Sequence, residues 1–268
     1  MGEVREEYTA ENYPSFGKKY AGEKAIISLT SWRARINTVS KTLFSLLKQC
    51  PDFHIVLVLS EEEFPKKEKE LPENLMVFVE NELIELLWAK LNLKPHKKFF
   101  YTMQKYRNVP IITCDDDQII NKNFAEILYN SYLKNPNVIH AGRCHLILKD
   151  RNNNILPYKQ WIWNCKTIKE PSFELFATGV GTILYPPNIL KISNDDIPMI
   201  KKLINQDDIF LKIKENNLNI KIKSVGGINL GIDLKEISTM QKEALNKINT
   251  MNQNMNDILI KEYKHFFK

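Results

Sequence analysis

The run Ile111, Ile112, Thr113, Cys114, Asp115, Asp116, Asp117 constrains the fold of this chain more than any other. Apolar, β-branched residues following Pro110 predict a short buried strand. The consecutive carboxylates then fall at its carboxyl end, where open α/β sheets gather their ligands. Adjacent acids repel one another, so the cluster asks for a divalent cation or a set of donors to offset the cost. The alternative is a solvated turn in which one Asp caps the next helix.

Other apolar runs fit the same architecture. Ala25, Ile26, Ile27, Ser28 and Leu29 predict a first strand, followed by a loop over 30–35. Thr38 or Asn37 can cap a helix with the apolar stripe Val39, Leu43, Leu46 and Leu47, which Pro51 ends. A second strand is expected over 54–59, a charged loop over 61–69, a third strand over 75–79, and a helix over 97–106 leading into the acidic strand. Later come a helix over 124–133, strands over 138–141 and 144–148, and an Asn-rich turn over 152–154. Trp161 and Trp163 alternate as on a strand, where they can stack on a sugar ring or pack in the core. Together these elements predict an α/β fold: a mixed, largely parallel central sheet with helices on both faces, in a single domain without internal repeats.

Composition narrows the function classes. With 268 residues, 43% of them hydrophobic, the chain can bury the core of an ordinary globular enzyme. A net charge of +6 suits an anionic partner such as a nucleotide or a phospholipid surface. The basic residues are scattered and no nucleic-acid motif of recognised spacing occurs, so no nucleic-acid partner is expected. Cys50, Cys114, Cys144 and Cys165 form no CxxC pair, which points to free thiols in a reducing compartment. The polar N-terminus does not read as a secretory signal and no apolar run is long enough to span a bilayer, so a cytoplasmic location is expected. The aromatic and basic stretch 258–268 is either a helix packed on the domain or a surface for peripheral contact with the inner face of the cytoplasmic membrane.

Five motifs occur in order. They are Ser28, Leu29, Thr30, Ser31 with Arg35 and Ile36; Leu59, Ser60 ahead of Phe64, Pro65; Asp115, Asp116, Asp117; Thr178, Gly179, Val180, Gly181 before Tyr185, Pro186, Pro187; and Asp207, Asp208, Ile209, Phe210, Leu211. Over residues 24–216 the chain thereby resembles a bacterial nucleotide-sugar glycosyltransferase of the GT-A fold, close to the family 2 type. The resemblance implies a Rossmann-like GT-A domain over 24–233, with a nucleotide-binding half over 24–120 and an acceptor half over 121–233. An N-terminal extension (1–23) and a C-terminal helical segment (234–268) flank it. The implied reaction is transfer of a sugar from a nucleotide-sugar donor, a UDP-sugar first among them, to a carbohydrate or lipid-linked glycan acceptor. Capsule or lipooligosaccharide synthesis is the implied setting, and Mn²⁺ or Mg²⁺ the implied cofactor.

By the same resemblance Asp117 is the direct metal ligand, while Asp115 contacts the ribose or a metal-bound water and joins the metal set. Asp116 points the other way along the chain as a helper on the donor side, with a frame shifted through Asp116 left open. Thr30, Arg35 and Ser60 surround the nucleotide, and Lys97 and Lys98 meet its phosphates unless they lie on a solvated helix face. Thr178, Gly179, Val180 and Gly181 bring bare backbone to the donor sugar, or form only a tight turn. Trp161 and Asp207 are placed on the sugar and acceptor side. Asp208, second of the acid pair, is the general base of an inverting transfer; Asp195 and Asp196 form a rival pair. Two other readings stand beside this one. A nucleotidyltransferase would also use acidic metal ligands, but the chain lacks its glycine-rich loop after the first strand. A non-catalytic carbohydrate- or polyanion-binding module would leave both acidic clusters idle.

Overall fold

Apolar side chains alternate along Ala25–Thr30 (β2) and Phe53–Ser60 (β3) so that both faces of the sheet are greasy. Ile26, Val56 and Val58 enter one core, and Ile27, Leu29, Ile55, Leu57 and Leu59 the other. The structure, a computed structural model, describes residues 13–48, 52–226 and 255–267. Beside β2 and β3 its main sheet contains Ser15–Gly17 (β1), Glu85–Ala89 (β4), Ile111–Thr113 (β5), Ile139–Ala141 (β6), Ile183–Tyr185 (β9) and Ile222–Ser224 (β10). The spatial order is β1-β4-β3-β2-β5-β9-β6-β10. Strands β2, β3, β4 and β5 are mutually parallel, β6 and β10 run with them, and only β1 and β9 oppose them. Cys144–Leu146 (β7) and Leu175–Ala177 (β8) form a separate antiparallel ribbon.

Helices cover both faces, as expected for an α/β fold with a mixed, largely parallel sheet. Val39–Leu46 (α1), Glu73–Glu80 (α2) and Phe124–Lys134 (α4) contribute Leu43, Leu75 and Leu128 to one core. Lys97–Lys105 (α3), Ile197–Lys202 (α5), Asp207–Asn217 (α6) and Met255–Glu262 (α7) contribute Phe99, Ile200, Phe210 and Leu259 to the other. In the C-terminal stretch, Leu259, Ile260 and Phe267 are buried, and Asn216 on α6 donates to Phe266 O (2.7 Å), so this stretch packs on the domain. No helix among the described residues is long and apolar enough to cross a membrane. Cys114, Cys144 and Cys165 are free and buried; Cys50 and Pro51 lie outside the described residues.

Two expected elements differ. Residues 75–79 form helix α2 instead of a third strand: Leu75 and Val79, one turn apart, are buried, whereas Val77 between them is 48% exposed. Pro72 in extended conformation and Glu73 in the first turn start the helix. The strand lies further on, at β4, where Glu85 interrupts the apolar pattern yet is buried. His54 Nε2 lies 2.7 Å from its carboxylate, and Lys105 and Tyr106 donate to it as well. Trp161 and Trp163 are not on a strand but follow a short 3₁₀ turn at Tyr158–Gln160. The N-terminal extension joins the sheet through β1, which pairs with β4.

A candidate active site at the carboxyl end of the sheet

Four segments converge beyond the carboxyl ends of β2 and β5: the Asp115–Asp117 loop, the first turn of α3, the 3₁₀ turn Gly179–Gly181, and the first turn of α6. Helix α3 is fixed against α6 by stacked rings of Phe99 and Phe210, whose centroids lie 5.8 Å apart. His96, packed between them, lies with Nε2 2.8 Å from Leu203 O. Burial pushes its imidazole below the ordinary value, so the neutral ring donates to that carbonyl. The hydroxyls of Ser28 on β2 and Thr102 both donate to Lys98 O, tying the start of α3 to the sheet.

Lys98 is the centre of the site. Its side chain is buried, and Nζ donates to Asp115 Oδ1 at 2.7 Å and pairs with Asp207 Oδ2 at 3.0 Å. Burial alone would push the ammonium down; the charges of Asp115 and Asp207 outweigh it and hold it well above the ordinary value. A lysine in a helix's first turn opposes the macrodipole, so the position of Lys98 is explained by these acids and not by the helix. Gly179 N–H donates to Asp208 Oδ1 at 2.9 Å. A Cβ on Gly179 would stand 3.2 Å from Lys98 Nζ and 3.3 Å from Asp208 Oδ1, so a side chain there would crowd the charged groups. Burial, then the charge of Asp207, pushes the Asp208 carboxyl well above the ordinary range. It therefore holds a proton far more readily than a free aspartate does.

Asp116 and Asp117 engage Arg35. Its Nη1 donates to Asp116 Oδ1 at 2.6 Å and to Asp117 Oδ2 at 2.9 Å. Ser31 also donates to Asp116 (2.6 Å), and Thr42 donates to Asp116 O (2.8 Å), so this buried acid is a clamp between the first and the acidic loops. Asp117 is pushed up to about 6 by burial and by the charge of Asp115, despite Arg35. Such residual repulsion fits a cation beside Asp115 and Asp117. Among the described residues no group of three or more His, Cys, Asp or Glu is arranged to hold a metal. In the acidic loop Asp115 and Asp117 are the residues that would hold a hard cation, with water and phosphate supplying its remaining oxygens, as for Mg²⁺.

The remaining expected site residues make contacts of their own. Lys97 turns from Lys98 to pair with Glu63 (2.9 Å) and Asn92 (3.1 Å), fixing the start of α3 to the loop after β3. Ser60 is buried and accepts from Glu62 N–H, closing a turn, while Thr30 donates to Val58 O on the neighbouring strand. Thr178 leads into the turn with its Oγ1 buried and unpartnered among the described residues, and Val180 is half-buried beside it. Gly181 faces protein: a Cβ there would fall 2.2 Å from Arg143 Cβ, so close packing against the link between β6 and β7 explains the glycine. Trp161 is buried in the core against Tyr158 and Phe176, its indole donating to Leu156 O. Asp196 is committed to a capping box with Ser193 and to Lys214, which removes the rival pair from the site. The bridging role of Lys98 escaped the sequence reading, although a lysine against the helix dipole was its signal.

No family model matches the chain, and no curated protein does. Among solved structures it is similar to the crystal structure of S. aureus TarS 1-349, at 14% identity and a TM-score of 0.48, over 86% of this chain and 73% of that one.

Proposed function

We propose that this chain is a glycosyltransferase that moves a sugar from a nucleotide-sugar donor, a UDP-sugar in the first instance, to a carbohydrate or lipid-linked glycan acceptor. The observation that carries this reading is the meeting of Asp115, Asp207 and Asp208 around buried Lys98, with the Gly179 amide among them, at the ligand-binding end of a parallel sheet. Three of the five ordered motifs that resemble GT-A enzymes, those opening at Asp115, Thr178 and Asp207, fall on these same segments. Asp208 is the general base: its carboxylate oxygen, oriented by Gly179 N–H, takes the proton of the acceptor hydroxyl as that oxygen attacks the anomeric carbon with inversion. Lys98 and Arg35 supply fixed positive charge near the acidic loop, where a diphosphate leaving group would develop its charge. Mn²⁺ or Mg²⁺ held by Asp117 and Asp115 would add further stabilisation of that charge. Surface polysaccharide synthesis in the cytoplasm, with acceptors at the membrane face, is the corresponding setting.

The test is donor turnover. With Mn²⁺ present, the protein should release UDP from at least one of UDP-glucose, UDP-galactose and UDP-N-acetylglucosamine, either to water or to an added glycan. Pyrophosphate release from UTP with sugar 1-phosphates, and no UDP release, would replace the proposal by nucleotidyl transfer.

A further inference from the structure

One exposed aromatic surface is left unused by the residues above. Trp163 is 47% exposed, and Ile162 beside it 46%. The indole is not loose. One face lies on the His145 ring at 5.2 Å and 19°, and its Nε1 donates to Tyr158 O at 3.2 Å. The Tyr158 ring leans on it at 5.6 Å, and Asn164 N–H donates to His145 Nδ1 at 3.1 Å, fixing the lower ring in turn. Burial, then Arg143, pushes the His145 imidazole down to about 4, so the supporting ring is neutral near pH 7. With one face covered and the N–H bonded, the exposed part of Trp163 is its outer face and edge. A rigid, half-supported indole face is a surface on which the C–H side of a pyranose can stack.

The platform is continuous with the catalytic end of the molecule. His145 on β7 pairs in register with Phe176 on β8, and Ala177 then leads to Thr178 and Gly179, whose amide holds Asp208. Only Ala177 and Thr178 separate Phe176 from Gly179. Tyr158, which touches both Trp163 and Phe176, also has its phenol pushed up by burial and by the charge of Asp208. Arg143, just before β7, sits in the same field and packs on Gly181.

We propose that the outer face of Trp163, supported by His145 and Tyr158, is an acceptor subsite on which a pyranose ring of a carbohydrate acceptor stacks. This rests on the glycosyltransferase reading and adds the chemical class of the acceptor next to the bond being made.

The test uses the full chain on an array of immobilised glycans ending in glucose, galactose, N-acetylglucosamine and N-acetylgalactosamine pyranosides. The wild type should bind at least one, Trp163→Ala should bind it about fivefold or more weakly, and Trp163→Phe should retain most of the binding, as stacking energies imply. Circular dichroism establishes that each variant is folded. No glycan bound by the wild type, or equal binding by Trp163→Ala, overturns the subsite. Trp163-dependent binding to phosphatidylglycerol vesicles without any glycan binding overturns it too, in favour of a membrane contact. Thermal stabilisation by UDP, read on the wild type alone, reports on the donor reading separately: its absence together with glycan capture would keep the platform and remove the transferase.

Discussion

At the scale of single residues, Lys98 and Asp208 carry the most specific expectations. Lys98 is buried between Asp115 and Asp207, so Lys98→Met leaves acids facing one another without their cation. Chemical denaturation should show a loss of about 3 kcal/mol, the usual scale for breaking a buried pair, and Lys98→Arg should recover much of it. A Lys98→Met protein as stable as the wild type would mean that solvent already screens these charges. Asp208→Asn should lower transfer by roughly 10²- to 10⁴-fold, the range for a general base, while thermal stabilisation by UDP persists. Full turnover in that variant removes Asp208 as the base. The acids of this site were legible in the sequence as clusters at a strand end and a helix start. Their shared cation was not, because Lys98 and Lys97 are neighbours in a basic run and only the packing of α3 sends one to Asp115 and the other to Glu63.

At the scale of elements, α2 shows where pattern reading is ambiguous. The segment Leu75, Met76, Val77, Phe78, Val79 is apolar throughout, and a short continuous run of that kind fits a buried strand as well as a helix. Mutations separate the two. Leu75→Ala should cost about 2–5 kcal/mol, whereas Val77→Ala should stay within about 0.5 kcal/mol, because the helix turns Val77 to solvent. Equal costs would restore a strand, in which Leu75, Val77 and Val79 share a face. The true strand β4 was hidden by Glu85, a charge that becomes tolerable in a core only through partners distant in sequence. Burial would raise the Glu85 carboxyl, but its bonds to His54, Lys105 and Tyr106 hold it at about 2 instead of 4.5. Since the folded value is the lower one, the stabilisation is complete above about pH 4.5 and is lost as the pH falls toward 2. Its size is about 3 kcal/mol. Melting curves of the wild type and Glu85→Gln should therefore differ at pH 7 and converge in acid; a gap independent of pH would contradict the account.

At the scale of the whole molecule, the sheet order brings together segments far apart in the chain. The acidic loop after β5 meets the turn before β9 because those strands are antiparallel neighbours, and α6 follows on the same face as α3. The mixed, largely parallel sheet was legible because β2, β3 and β5 are short apolar runs punctuated by Pro, Gly and acids. The irregular stretch between β7 and β8 was not, since no period marks Trp161 as core and Trp163 as surface; only tertiary packing separates them. The central claim is that the carboxyl end of this sheet binds a nucleotide together with a divalent cation. Thermal shift with UDP, GDP and CMP, each with and without Mn²⁺, on the wild type and Asp117→Ala tests it most directly. One nucleotide, UDP first, should raise the wild-type melting temperature by about 5 °C at a hundredfold excess over Kd, only with Mn²⁺ and not in Asp117→Ala. No shift with any nucleotide, or an equal Mn²⁺-dependent shift in Asp117→Ala, would contradict it.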